Sequence, residues 1–310
     1  MTTKTFKGEQ PCDREIKYIT VLEETSMKIN NLATPFLANY EATLDYYDTY
    51  FEQHPDVFQF YFQFHCKNKE EKLERALKHH PQILEQMRWV TEHIPIYTTD
   101  ITKKYEEMFS ITFTEHIQIF VGLDGSMAYT THSMNPQVAF TVNRIEAEEI
   151  VLKVLIAHEF GHATHHLYSS EHGIGVRQIK WGSPYTCLMQ EGLATYLSMQ
   201  VVAAPADVYF AFGRDEDWLA FVQTNKKDIF EAFQKDLKEQ NPQEVFNEWF
   251  SINGGKHFGY KAIAYYIGCE IVGKLVEQQG IEQTILLWGQ EGFEQIIDGV
   301  LNELKNMLES

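Results

Sequence analysis

The chain has no Cys-x-x-Cys pair, no run of lysine and arginine, no internal repeat and no low-complexity tract. Each absence removes a class of protein. The four cysteines, Cys12, Cys66, Cys187 and Cys269, lie far apart, so they read as isolated thiols of a reducing compartment. They supply neither a disulfide framework nor a thiolate metal site. Basic runs are missing while Asp and Glu outnumber Lys and Arg by 44 to 26, a formal net charge of -18. Such a surface repels nucleic acid, and its acidity serves solubility. Residues 1–17 lack the apolar centre of a secretory signal. The apolar stretch at 151–157 is far too short to span a bilayer. A cytoplasmic protein without a membrane partner is expected.

What is present describes a folded chain. Apolar residues make up 44% and charged residues 23%, and 310 residues suffice for one large domain or two ordinary ones. With 21 Phe and 16 Tyr, large rings should dominate the packing. Residues 14–53 read as two helices broken near Thr34-Pro35, with Phe36, Tyr40, Leu44, Tyr47 and Phe51 on one face. Phe58, Phe60, Phe62 and Phe64 alternate as in a strand, but their helical surroundings favour helix over 57–64. Helical spacing continues through 69–80, 82–94 and 100–109, punctuated by Pro81 and Pro95.

The period then changes. Ile111, Phe113, Ile117, Ile119 and Val121 alternate, interrupted by Glu115, and read as one or two strands closed by Gly122 and Gly125. Val138, Phe140 and Val142 form another. From 146 onward helices are expected over 146–168, 185–202, 214–240, 242–251, 257–279 and 281–308, the last broken near Gly289. Gly173, Gly175, Gly182 and Pro184 mark a loop. The expected fold is mostly α with a small β-sheet (α+β). A soft boundary near 110 separates a helical N-terminal region, 1–110, from a region 111–310 with the sheet and a helical C-terminal half.

Chemistry concentrates in His158-Glu159-Phe160-Gly161-His162. On a helix the two imidazoles share a face, separated by about 6 Å of rise, and can converge on one metal ion. Val151, Leu155, His158 and His162 fall at i, i+4, i+7 and i+11, so the histidines continue an apolar stripe. Glu159 lies beside the open coordination position, where it can take a proton from a water molecule. Gly161 disfavours helix by about 1 kcal/mol relative to Ala, which a close approach by another backbone would explain.

A catalytic zinc site needs a third protein ligand. His165 and His166 lie about 10–12 Å along the helix from His158, too far to share the ion, and read as supporting or exposed side chains. The longer metzincin histidine pattern also fails, because it needs glycine at 165 and histidine at 168, where this chain has His165 and Tyr168. Glu191, in Gln190-Glu191-Gly192-Leu193-Ala194-Thr195-Tyr196, is the better candidate. Gly192 and Ala194 are small enough for its helix to pack tightly on the first.

His-Glu-x-x-His followed by Glu-Gly-Leu-Ala resembles the gluzincin zinc metallopeptidases. It is similar, more narrowly, to a bacterial group of predicted zinc-dependent proteases with a helical C-terminal half. The resemblance covers about 117–287, and the two motifs are its specific part. It implies a zincin-like fold, with a small sheet above the active-site helix. It also implies a Tyr-x-x-Gly tyrosine on a later helix, which Tyr265-Tyr266-Ile267-Gly268 matches, making Tyr265 the oxyanion donor. Tyr260, Tyr266 and His257 are neighbours that can take that role. Where many gluzincins have an aspartate to orient the first histidine, this chain has Thr195.

The expected activity is zinc-dependent hydrolysis of peptide bonds, with one Zn²⁺ held by His158, His162 and Glu191, Glu159 as general base, and a peptide or protein as substrate. The alternatives are a zinc hydrolase of a non-peptide amide or ester, or a zinc-binding protein without catalysis. A strand before the motif helix, 117–121 or 138–142, is expected to offer an edge to an extended substrate, with Gly122 and Gly125 allowing close approach.

Overall fold

The computed structural model describes residues 27–211, 213–251 and 253–308. The helical expectation for 14–26, and Cys12, lie outside them. The described chain is mostly α-helical with one small mixed sheet. The strands are β1 (Ile29–Asn31), β2 (Ile117–Phe120), β3 (Ala128–Thr130) and β4 (Val138–Thr141). The helices of the N-terminal half are α1 (Ala33–Ala38), α2 (Leu44–Gln53), α3 (Pro55–Phe60), α4 (Lys69–His79) and α5 (Leu84–Phe109). Those that follow are α6 (Glu149–Glu171), α7 (Pro184–Val201), α8 (Ala206–Ala211), α9 (Glu216–Thr224), α10 (Lys226–Glu239), α11 (Pro242–Val245), α12 (Ile263–Gln279), α13 (Ile281–Leu286) and α14 (Phe293–Met307). Among the described residues no helix is long and apolar enough to cross a membrane.

The sheet order is β1-β2-β4-β3. β1, β2 and β4 run parallel, and β3 is antiparallel to β4. Two expectations change here. Residues 29–31 form a strand, not helix, and β1 joins the sheet from the far side of residue 110. β2 and β4 are both interior strands, so neither offers an edge. The edge nearest the motif helix is β3, which the sequence pattern did not reveal because it is three residues long.

Prolines account for two further differences. Pro35 sits in the first turn of α1, where a missing N–H costs nothing, and the chain breaks instead at 39–43. Pro95 lies inside α5, which runs unbroken for 26 residues. Met87, Val90 and Ile94 before it and Thr98, Ile101 and Tyr105 after it are buried on one continuous face. Packing of that face holds the helix together past the proline. Residues 55–65 are helical as expected, the last five as a π-turn.

α6 is the central element. It packs on α5, α7 and β3, and most of its residues are buried. An all-round apolar helix of this kind belongs in an interior. α7 lies between α6 and α12, and both contacts use residues without bulk. A Cβ on Gly161 would come 2.9 Å from Ala194 Cα, so the expected close backbone approach is that of α7. Gly192 faces the other way. Its Cβ would come 2.2 Å from the carbonyl carbon of Gly268 on α12. The two helix pairs therefore stack at backbone contact, and the turns that carry His158, His162 and Glu191 are held on rigid elements.

Candidate metal centre and catalytic cleft

His158 and His162 project from one face of α6 toward Glu191 on α7. His162 Nε2 is 3.1 Å from His158 Nε2. Glu191 Oε2 is 3.2 Å from His158 Nε2 and 3.4 Å from His162 Nε2. Among the described residues these three donors form the one group of His, Cys, Asp or Glu side chains that could hold a metal ion. A tetrahedral ion with bonds of about 2.0–2.1 Å sets its ligand atoms roughly 3.3–3.4 Å apart. The triangle of two imidazole nitrogens and a carboxylate oxygen has those dimensions, so the residues fit a small divalent metal.

The Glu191 carboxylate draws positive charge to this corner of the cleft. Burial alone would raise the Glu191 carboxyl, but the charge of His162 and hydrogen bonds from both imidazoles outweigh it and hold it well below the usual carboxylate range. Burial works against a proton on His162, yet the Glu191 charge and hydrogen bond, with Glu159 beside it, hold its imidazole above the ordinary value. Glu159 is 7% exposed. Burial raises its carboxyl, opposed by the two histidines and by Thr130. Thr130 Oγ1 donates to Glu159 Oε2 at 2.8 Å and fixes the carboxylate from the sheet side. Nothing in the local spacing points to Thr130, because it belongs to the unanticipated strand β3.

Tyr265 lines the same cleft, its ring stacked on His158 at 6.0 Å between centroids. Burial pushes its hydroxyl well up, with the charge and hydrogen bond of Glu191 adding to the effect. The neighbouring candidates are engaged elsewhere. Tyr260 stacks on Phe221 at 4.0 Å, Tyr266 packs against Phe210, and His257 Nε2 meets Asp236 Oδ2 at 3.0 Å. Gly268, the glycine of Tyr-x-x-Gly, is the residue in backbone contact with Gly192.

Other residues singled out by the sequence are placed as follows. His165 and His166 are fully buried rather than exposed. His166 bonds Ser133 O through Nδ1 and Gln190 through Nε2, tying α6 to the residue before Glu191. His165 packs on the Trp288 ring at 3.7 Å. Gly122 and Gly125 do not leave room for a substrate, since the Tyr61 hydroxyl would lie 2.7 and 2.4 Å from a Cβ at each. Thr195 Oγ1 is buried and makes no hydrogen bond.

The cleft encloses about 410 Å³. Its floor is the chain from Gly125 to Ala128, with Arg144 beside it, and its far wall is Lys261, Ala262 and Tyr265. The floor is clamped from outside. Tyr61 Oη both accepts from Leu123 N and donates to Leu123 O, at 3.0 Å each. Asn143 accepts from Gly122 N and donates to Leu123 O, while Ser126 N bonds His65 O.

Comparison with protein-family models, with curated proteins and with solved structures gives no match, so the site's own geometry carries the functional reading.

Proposed function

We propose that the chain is a zinc metallopeptidase of zincin-like architecture that cleaves peptide bonds in this cleft. One observation carries the reading: a general-base glutamate stands next to a three-donor triangle of zinc-ligand dimensions, inside a cleft. A structural metal site has no use for that glutamate. Two imidazoles and a carboxylate suit Zn²⁺. When bound, the metal supplies a Lewis acid that lowers the pKa of water to about 7 and polarises a carbonyl.

The chain's own residues do the rest. Glu159, aimed by Thr130, accepts a proton from the attacking water and later passes it to the departing amine. Tyr265 donates its hydroxyl to the carbonyl oxygen as charge develops there. Its raised pKa keeps that proton in place at neutral pH. The outer side of β3, next to Glu159, gives an extended peptide a strand to pair with. A cytoplasmic setting is supported by Cys66, Cys187 and Cys269, all free thiols.

The test is Glu159→Gln. It keeps size but accepts no proton at neutral pH. Zinc content should stay at about one per chain, and cleavage of a peptide library should fall roughly 10²–10⁴-fold. Replacing His158, His162 or Glu191 with Ala should instead remove the metal. Parental cleavage by Glu159→Gln would sink the mechanism.

A further inference from the structure

Resting on the peptidase reading above, we infer that the cleft selects substrates by a carboxylate, which Lys261 and Arg144 bind beside the scissile bond. The chain carries a net charge of -18, and some of its lysines pair with carboxylates, as Lys226 does with Glu270 and Lys274 with Glu303. Lys261 is distinguished by its place. It is half-buried, it lines the cleft, and its ammonium has no ion-pair or hydrogen-bond partner among the described residues. Holding a cation there without a carboxylate, in a protein with carboxylates in excess, is what a site for an incoming anion requires.

The backbone around Lys261 is fixed. Its carbonyl accepts from the Trp218 indole at 2.8 Å. The next residue, Ala262, has φ 49°, an uncommon left-handed conformation for alanine, and its N–H bonds Ser251 O at 2.9 Å. The preceding loop is closed by Gly255 N on Tyr260 O, and the Glu248 carboxylate accepts from the N–H groups of Lys256 and His257. Strain at Ala262 persists because these bonds over-determine the turn that brings Lys261 to the cleft.

Arg144 stands beside the cleft floor, at the end of the turn that follows β4. It approaches Asp124 only at 3.8 Å, and Asp124 is shared with Arg75 at 3.5 Å. That is longer than a hydrogen bond and leaves the guanidinium fork to a ligand. The cleft carboxylates, Glu159 and Glu191, are already engaged by Thr130 and the two histidines. A cavity of about 410 Å³ is at the small end for ligand sites, so it accommodates a short peptide segment and the anion sits close to the cleaved bond. The carboxylate can be a peptide's C-terminus or an Asp or Glu side chain.

One mixed peptide library, made as free acids and as C-terminal amides, separates these sources. Cleavage is mapped by mass spectrometry on the zinc-loaded full chain. Binding is read by anisotropy of the labelled libraries on Glu159→Gln. Free acids preferred about tenfold or more identify the C-terminus. Equal use of amides, with Asp or Glu enriched near the cleaved bond, identifies the side chain. In either case Lys261→Gln and Arg144→Gln should each raise KM about tenfold or more, with kcat less affected, and weaken the effect of salt. Lys103→Gln, on the exposed face of α5, serves as the control. Indifference to carboxylates in both assays, or unchanged KM in both cleft variants, overturns the inference. Carboxylate-selective binding without any cleavage would leave it standing and remove the peptidase reading instead.

Discussion

The helix stack α6–α7–α12 and the aromatic segment between residues 33 and 66 both build the cleft, by opposite means. The stack works by having nothing in the way: Gly161 meets Ala194, and Gly192 meets Gly268, backbone against backbone. The aromatic segment works by bulk. Phe36, Tyr47, Tyr50, Phe51 and Phe58 pack ring on ring. From that mass two hydroxyls reach the segment just after β2: Tyr50 accepts from Val121 N, and Tyr61 binds both backbone groups of Leu123. The difference separates two tasks. The metal ligands proposed above would have to be held to a fraction of an ångström, which close-packed helices provide. A cleft floor needs its shape fixed and its backbone groups satisfied, which hydrogen bonds from a rigid aromatic support provide.

The comparison can be broken most severely in the stack. Gly192→Ala puts a methyl group into the Gly268 backbone, which cannot rotate away. We expect a loss of about 3 kcal/mol, the upper range for overpacking. By calorimetry the melting temperature should fall by about 5 °C. Metal affinity should fall with it, because Glu191 is the adjacent residue. A variant that melts and binds zinc like the parent would show that the stack tolerates separation.

Tyr265→Phe tests chemistry within the same stack without disturbing its packing. Turnover should drop about 10²-fold while melting temperature and zinc content hold. Unchanged turnover would return the role to Tyr260, Tyr266 or His257, all of which would have to leave their present partners.

Tyr61→Phe sharpens the contrast from the other side. The ring stays, but Leu123 N and O lose a partner in a buried setting, at a cost of about 1–3 kcal/mol. KM should rise as the floor loosens, and zinc content should not change. Loss of zinc would mean that the aromatic support also positions the ligands.

The smallest expected effect is acid sensitivity of the aromatic region. His80 is 1% exposed, its Nδ1 meets the Tyr47 hydroxyl at 2.6 Å, and burial depresses its pKa to about 4. The unfolded chain takes up that proton near pH 6.5, the folded one only near 4. This stability is therefore fully present above about 6.5 and is lost as pH falls toward 4. Unfolding free energies from denaturant titrations at pH 7 and 4.5 should differ by roughly 1–2 kcal/mol more in the parent than in His80→Gln. An equal difference would mean that His80 charges without unfolding.

Local pattern carried a good part of this structure. The spacing of His158 and His162, the glycine between them and the run around Glu191 each reflect an interaction within a few residues, or a steric demand that only a small residue meets. α6 and α7 were legible for the same reason, whereas the helix expected over 214–240 is two, α9 and α10. Legibility failed where neighbours decided. Pro95 should have ended a helix, but a buried face on both sides carried it through. β3 has too few residues to show a period, and β1 carries no strand signal of its own because its pairing partner lies 88 residues away.

By itself, then, the sequence determined a mostly helical chain with a small sheet, and a motif helix followed by a helix that carries Glu191. The reason is that helical periodicity and metal-ligand spacing are written at short range. Tertiary structure alone decided that Thr130 aims Glu159, and that Tyr265 rather than its neighbours faces His158. It also brought Arg144 and Lys261, 117 residues apart, to one cleft. Those relations depend on how elements distant in the chain pack together, and no local pattern encodes that.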